Sequence, residues 1–315
     1  MLDIIIVNYN STDCLLNCLK SLYDTLADLS ANVFVQDNGS RDGVGRINKQ
    51  FPEVHFCQNK SNIGFASAVN NALKQCSAPY VVLLNPDSLV KKGFFISILQ
   101  YMTDNPNVGI IGPKILDGDG KIQGSARSFP TPLTAFFGRK SLITRLFPNN
   151  PVTTSNVLTT QSDGKTPMEV DWVSGACMVV NKKAIDKVGV LDERFFIYWE
   201  DADWCRRMRD AGWKVVYFPK SCVIHHVGVS SDQFLIRSLF EFHKSVYLLF
   251  EKYSKPSFLM LKFLIISGLF LRFCFVVASS GFTIWIKKYP IFRKPEAKRV
   301  LRPIKKRIKI LRMIA

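Results

Sequence analysis

Ile4-Ile5-Ile6-Val7-Asn8-Tyr9-Asn10-Ser11-Thr12 decides the fold. Four β-branched residues in succession read as a strand buried on both faces, as strands of parallel sheets covered by helices are. The run stops at Asn8-Tyr9-Asn10, and Ser11 or Thr12 stands where a helix cap belongs. Cys14, Leu15, Cys18, Leu19 and Leu22 then recur with the 3.6-residue period of a helix that buries one face. The same strand-then-helix unit repeats outward. Val33–Gln36 is a second strand, closed by the turn Asp37-Asn38-Gly39-Ser40, and Val54–Cys57 a short third. Phe65–Gln75 is a helix, and Tyr80–Leu84 a buried strand stopped by Asn85-Pro86-Asp87. A helix and the strand Val108–Gly112 follow. The alternation predicts an α/β domain with a Rossmann-like, mostly parallel sheet flanked by helices.

The middle of the chain is less regular. Asp117-Gly118-Asp119-Gly120 is a turn, and Phe129–Pro167 holds five prolines with little periodicity, the mark of a lid, a binding loop or a linker. Val170–Val180 reads as a strand, Lys182 opens a helix, and Glu200–Asp210 is a helix ending at Gly212. Val215–Phe218 and Val223–His225 read as closing strands. The character changes near residue 235, which divides the chain into a domain at 1–235 and a C-terminal region at 236–315. Phe258–Ile286 carries only Lys262 and Arg272 as charges, yet its longest charge-free run, Phe273–Ile286, is fourteen residues. A helix that crosses a membrane needs about 20 apolar residues. Helices lying in the membrane interface with Lys262 and Arg272 snorkelling fit best; a single span and a buried helix pair are the alternatives.

Composition narrows the class. Of 315 residues 47% are apolar and 21% charged, which allows a packed core and excludes wholesale disorder. The net charge of +17 is concentrated in Lys287–Ala315, which holds twelve Lys/Arg against Glu296. A basic tail behind an apolar stretch suits an anionic membrane surface. Nucleic acid is not expected, because the body is not basic and carries no RNA- or DNA-binding motif. The eight cysteines form no CxxC pair or zinc-type spacing, as free thiols of a reducing cytosol would. Asp3 stands where a secretory leader needs a basic residue. No GxGxxG or GxxxxGK[ST] fingerprint occurs.

Functional groups of open α/β sheets gather at the carboxyl ends of strands. Asn8-Tyr9-Asn10, Asp37-Asn38, Asn62-Ile63-Gly64 and Asn85-Pro86-Asp87 all sit at such ends or at a helix start. Asn62-x-Gly64 can present backbone N–H groups to a phosphate. Asp87 can hold Mg2+ or Mn2+ together with diphosphate oxygens; capping the next helix is its other reading. Glu200, Asp201 and Asp203 follow the aromatic run Phe195–Trp199. Either they complement the helix dipole or one is a general base in an aromatic-walled sugar pocket. His225 and His226 close a strand, as structural residues or as metal ligands.

In chain order these motifs resemble the inverting glycosyltransferases of family 2, with the GT-A fold, and above all the bacterial rhamnosyltransferase branch of O-antigen and polysaccharide assembly. The motifs are Ile6–Asn10, Asp37–Ser40, Asn62–Ala66 with Asn70, Leu84–Asp87, Trp172–Ala176, Phe196–Asp203 and His225–Gly228. The resemblance implies that Asn8, Tyr9, Asn10 and Asp37 hold the nucleoside of a nucleotide-sugar. Asn62, Gly64 and Asn70 would line the nucleotide and diphosphate. Asp87 matches the last acid of the family's DxD motif and would ligate the metal with His225, His226 being the lesser choice; Asn85 replaces the first acid. Trp172, Gly175, Trp199 and Glu200 would face the acceptor, and Asp201 would be the catalytic base. The implied reaction moves L-rhamnose from dTDP-L-rhamnose to a lipid-linked saccharide at the cytoplasmic face of a bacterial inner membrane. A UDP-sugar donor and a non-catalytic relative are the alternatives.

Overall fold

The computed structural model of the chain describes residues 1–26, 29–131, 155–226, 235–254 and 262–288. The strands in chain order are β1 (Leu2–Asn8), β2 (Ala31–Asp37), β3 (His55–Gln58), β4 (Tyr80–Leu84), β5 (Ser88–Val90) and β6 (Val108–Leu116). Then come β7 (Ala126–Arg127), β8 (Met168–Glu169), β9 (Trp172–Val173), β10 (Cys177–Asn181) and β11 (Lys214–His225). The helices are α1 (Thr12–Leu26), α2 (Arg46–Gln50), α3 (Phe65–Leu73), α4 (Phe94–Asp104), α5 (Lys182–Val188), α6 (Glu200–Asp210), α7 (Leu235–Tyr253) and α8 (Lys262–Lys288).

The main sheet runs β3-β2-β1-β4-β10-β6-β11-β5, with β8 paired to β11. Strands β3, β2, β1 and β4 are mutually parallel, as are β6 and β11, while β10 runs antiparallel between β4 and β6. This is the expected mostly parallel sheet. Both of its faces are covered. Ile4 and Ile6 lie in one core with Leu15, Leu19 and Leu22 of α1 and Phe94 and Ile98 of α4. Ile5 and Val7 lie in the other with Ala68 and Ala72 of α3, Ile185 of α5 and Trp204 and Met208 of α6. Burial of alternate residues on opposite faces is why the Ile4–Val7 run of β1 has no polar position.

The strand directions bring the site together. Asn8, Asp37 and the Asn85–Asp87 turn end parallel strands at one edge. Because β10 is antiparallel, with Cys177 opposite Leu84, Gly175 and Ala176 begin at that same edge. His225 ends β11 there as well, opposite Ser88 of β5.

The structure departs from the sequence reading in four places. Val170–Val180 is two strands, because β9 leaves to pair with β7 and the chain turns at Ser174-Gly175 before β10. Val215–His225 is one strand whose register shifts between Phe218 and Cys222, where Pro219 cannot donate to the ladder. β5 is three residues held by long-range pairing to β11, too short to show a period. The compact unit runs to Lys262 rather than residue 235, because α7 is bonded to the Asp192–Asp203 segment. Parts of several readings lie outside the described residues: 132–154 of the proline-rich segment, 227–228 of the last motif, 258–261 and the basic tail. In α8, Phe263, Leu264, Phe270, Leu271 and Phe275 are exposed. Among the described residues no helix is long and apolar enough to cross a membrane.

Candidate active site

At the ends of β1 and β2 the polar residues hold one another in place. Asn8 is fully buried; its Nδ2 donates to Asp37 Oδ1 at 2.8 Å and to Ser40 Oγ at 3.2 Å. The backbone N–H groups of Gly39 and Ser40 donate to Asp37 Oδ2 at 3.1 and 2.8 Å. Asn10 adopts φ +50°, takes the Arg41 N–H on its Oδ1 at 3.0 Å and donates its own N–H to Ser40 Oγ at 2.8 Å. Asn38 reaches the next loop, donating to Gly64 O at 3.1 Å and Asn62 Oδ1 at 3.3 Å. Asn62 Oδ1 also accepts the Gly64 N–H at 3.0 Å, which shapes the entry to α3. Gly64 has φ +93°, and a Cβ there would lie 2.8 Å from Phe196 O, so only glycine fits. These bonds fix a polar ledge at the strand ends, where the N–H groups at the start of α3 can meet a phosphate.

Asn70 has a different task from the expected one. Its Nδ2 donates to Leu191 O and Glu193 Oε1, each at 2.9 Å, and its Oδ1 accepts the Leu191 N–H at 3.0 Å. The amide is thus committed to the loop that leads into the aromatic run, and it positions that run instead of lining the donor site. The helix cap also differs from expectation: Asp42 accepts from Thr12 N at 2.7 Å and from Thr12 Oγ1 at 2.6 Å.

Across the edge, Asp87 Oδ1 lies 3.1 Å from His225 Nε2. The pair is close but off the line of a hydrogen bond, and Asp87 Oδ1 is buried with no donor among the described residues. The hydrogen bonds assign the imidazole proton. Gln123 Nε2 donates to His225 O at 2.8 Å, which turns its Oε1 toward His225 Nδ1 at 3.2 Å. Asn85 Nδ2 lies 3.3 Å from Nε2. The proton therefore sits on Nδ1, and the lone pair on Nε2 faces the same space as the orphaned carboxylate oxygen. Two lone-pair atoms so arranged suit a divalent cation, with Gln123 as the outer partner that orients the histidine. Among the described residues no cluster of three or more His, Cys, Asp or Glu side chains could hold a metal, so substrate oxygens and water would complete the coordination. His226 donates its backbone N–H to Asp87 O at 3.0 Å, and its ring stands over Gly118.

The third group is the acidic start of α6. Asp201 Oδ2 accepts the Gly175 N–H and Oδ1 the Ala202 N–H, both at 2.8 Å. A Cβ on Gly175 would come within 3.3 Å of Asp201 Cβ, so glycine lets the carboxylate approach. Glu200 is 6% exposed, and its Oε2 is buried without a hydrogen-bond partner among the described residues. Burial, and next the charge of Asp201, push the Glu200 carboxyl well above the usual range. Burial pushes Asp201 up too, opposed by the Gly175 and Ala202 N–H groups and by the Arg127 charge. Desolvated acids of this kind hold a proton to higher pH and suit general-base work. Aromatic rings wall the pair: Trp199 lies 5.8 Å from Trp172 and 5.7 Å from Phe242, centroid to centroid. Arg127 stands 5.4 Å over the Trp172 ring. Tyr198 and Trp199 both adopt left-handed backbone, φ +70° and +69°. Each such non-glycine residue costs about 1–2 kcal/mol, so the turn is strained beside the acids it presents.

Comparison with known proteins gives the family. The sequence model described as glycosyl transferase family 2 matches residues 3–189, more than half of the chain. The chain belongs to glycosyltransferase family 2. It is similar to the N-acetylglucosaminyl-diphospho-decaprenol L-rhamnosyltransferase of Mycobacterium tuberculosis, 31% identical over 260 residues, which are 79% of this chain and 83% of that one. It is similar to the dTDP-rhamnosyl transferase RfbF of Shigella flexneri, 25% identical over 230 residues, 72% of this chain and 69% of the other. In fold it is similar to the mannosyltransferase PcManGT of Pyrobaculum calidifontis, solved with GDP-Man and Mn2+. That likeness has a TM-score of 0.55 at 17% identity and covers 86% of this chain and 69% of that one. The mixed sheet is thus the GT-A sheet of family 2 glycosyltransferases.

Within this glycosyltransferase the expected residues form three groups on one sheet edge: Asn8, Asn10, Asp37, Asn62 and Gly64; Asn85, Asp87 and His225; and Trp172, Gly175, Trp199, Glu200 and Asp201. Sequence reasoning missed Gln123 and Arg127. Both lie in loops or two-residue strands without a period, and only the long-range pairing of the sheet brings them to the edge.

Proposed function

We propose that the chain is an inverting, divalent-metal-dependent transferase that moves L-rhamnose from dTDP-L-rhamnose to a hydroxyl of a lipid-linked saccharide. The observation that carries the proposal is the meeting, on one sheet edge, of the Asp87–His225 pair with the buried Glu200–Asp201 pair. The sugar and the lipid-linked acceptor rest on the rhamnosyltransferase relatives. Tyr9 and Asn10 would meet base and ribose, with the fully buried Asn8 and Asp37 fixing the ledge behind them, and the Asn62–Gly64 turn meets the diphosphate. Asp87 and His225 would hold Mg2+ or Mn2+, which when bound neutralises charge growing on the departing diphosphate. Asp201 takes the proton of the acceptor hydroxyl as that oxygen bonds to the anomeric carbon and the diphosphate leaves on the far side. One base and no enzyme nucleophile suffice for such a displacement, and the anomeric centre inverts. Glu200 supports the hydroxyl, and Trp172 and Trp199 offer aromatic faces to the acceptor sugar. The exposed apolar residues of α8 and the basic tail would keep the enzyme on the anionic cytoplasmic face of the bacterial inner membrane, where the acceptor is concentrated.

The test is a thermal-shift panel with dTDP, UDP, GDP, CMP and ADP, each with and without Mn2+ or Mg2+. A ligand at 100 times its Kd stabilises by about 2.7 kcal/mol, well within reach of the method. Metal-dependent stabilisation by dTDP is the expected result. Stabilisation by UDP alone would redirect the donor, and no response to any nucleotide would overturn the donor site.

A further inference from the structure

The turn that presents Glu200 and Asp201 is held from outside the residues matched by the family model, by α7. Two consecutive left-handed residues, Tyr198 and Trp199, need external contacts to persist. Ser245 Oγ donates to Ile197 O at 3.0 Å, immediately before the turn. The Phe242 ring lies 5.8 Å from Tyr198 and 5.7 Å from Trp199, covering both strained residues. At the other end Tyr253 OH donates to Asp203 Oδ1 at 2.7 Å, and Lys252 Nζ pairs with the same oxygen at 2.6 Å. Lys252 also bonds Asp192 Oδ2 at 2.8 Å, ahead of the aromatic run. Asp203 is fully buried in the first turn of α6, with Arg207 on its second oxygen at 2.9 Å. Residues 242, 245, 249 and 252 are spaced three and four apart and so form one stripe, along which Val246 and Leu249 are buried. The contacts bracket the acidic pair: one set precedes Glu200 and the other follows Asp201.

We propose that α7 is a clamp that sets the position of the Glu200–Asp201 pair, with Phe242, Ser245, Lys252 and Tyr253 as positioning residues for the proton transfer. The proposal rests on the reading of Asp201 as the base. None of the four residues contributes to the polar ledge at Asn8, Asp37 and Asn62, so loss of the clamp should leave donor binding in place. Misplacement by about 1 Å can cost 100-fold in rate.

The experiment uses the full chain and the variants Phe242→Ala, Phe242→Leu and Tyr253→Phe. Two readouts are taken: steady-state transfer, split into kcat and donor KM, and amide hydrogen exchange. Phe242→Ala and Tyr253→Phe should lower kcat at least tenfold with donor KM within twofold, and Phe242→Leu should recover most of the loss. Exchange should quicken in 197–203 while 2–8 and 31–37 stay protected. Unchanged exchange in 197–203, or a parallel loss in all three segments, would overturn the clamp. Selective quickening in a protein whose wild type transfers no sugar would uphold the clamp as a structural device and overturn the reading of Asp201 as base. Selective quickening with unchanged kcat would overturn the positioning role.

Discussion

In the proposed reaction Asp201 is the residue on which the chemistry turns. Its two carboxylate oxygens each accept a backbone N–H, so Asp201→Asn keeps the shape and one of the two bonds; the fold and the nucleotide-dependent rise in Tm should survive with a modest loss of stability. Transfer should fall by about 100- to 10,000-fold, the usual worth of a general base. Retention of more than a tenth of the wild-type kcat would assign the base elsewhere. The acidic pair also sets a pH dependence. Both carboxyls are raised, so the folded protein keeps protons that the unfolded chain releases. Stability therefore declines as pH rises from about 4, the unfolded value, through the raised folded values. Glu200→Gln should raise Tm at pH 7 and leave it unchanged near pH 3. A Tm gain at pH 3 equal to that at pH 7 would refute the electrostatic account. At the metal pair, Gln123→Ala should weaken Mn2+ dependence of donor binding by about 10- to 100-fold, read as a shift in the metal midpoint of the thermal response. An unmoved midpoint would remove Gln123 from that role.

At the scale of elements, the strand ends were legible because each carries a short polar signature after an apolar run. Asn8, Asp37 and Asp87 were found that way. Asn70 shows the limit of such reading. A buried asparagine one turn into α3 looks like a ligand contact from its motif, whereas its partners are 121 to 123 residues away. Asn70→Ala should therefore destabilise the fold by about 1–3 kcal/mol, by stranding buried backbone groups, and leave nucleotide affinity within twofold. A tenfold loss of affinity with unchanged Tm would restore it to the donor site. Gln123, Arg127 and β5 were not legible, since pairing between β5, β6 and β11 depends on the whole sheet. The role of α7 was hidden for a related reason. Its amphipathic period announces a packed face but not the strained turn beneath it.

For the whole molecule, the change of character near residue 235 marks a change of composition rather than the end of the compact unit, which includes α7 and reaches Lys262. Removal of 289–315 deletes most of the positive tail and should shift the protein from membrane to soluble fractions, most clearly at low salt, where the attraction of the intact tail to anionic lipid is least screened. Unaltered fractionation at every salt concentration would leave the apolar residues of α8 as the only anchor. The acidic group joins the other two at the sheet edge through one topological fact, the antiparallel insertion of β10 between β4 and β6. It delivers Gly175 beside Asn85, and Gly175 in turn seats Asp201. The most direct measurement is NMR of the product formed from dTDP-L-rhamnose and a polyprenyl-diphosphate-linked sugar by the wild type and by Asp201→Asn, with Mn2+ or Mg2+ and with chelator. The account predicts a rhamnoside of inverted anomeric configuration, made by the wild type only and abolished by chelator. A product of retained configuration, or equal product from Asp201→Asn, would contradict it.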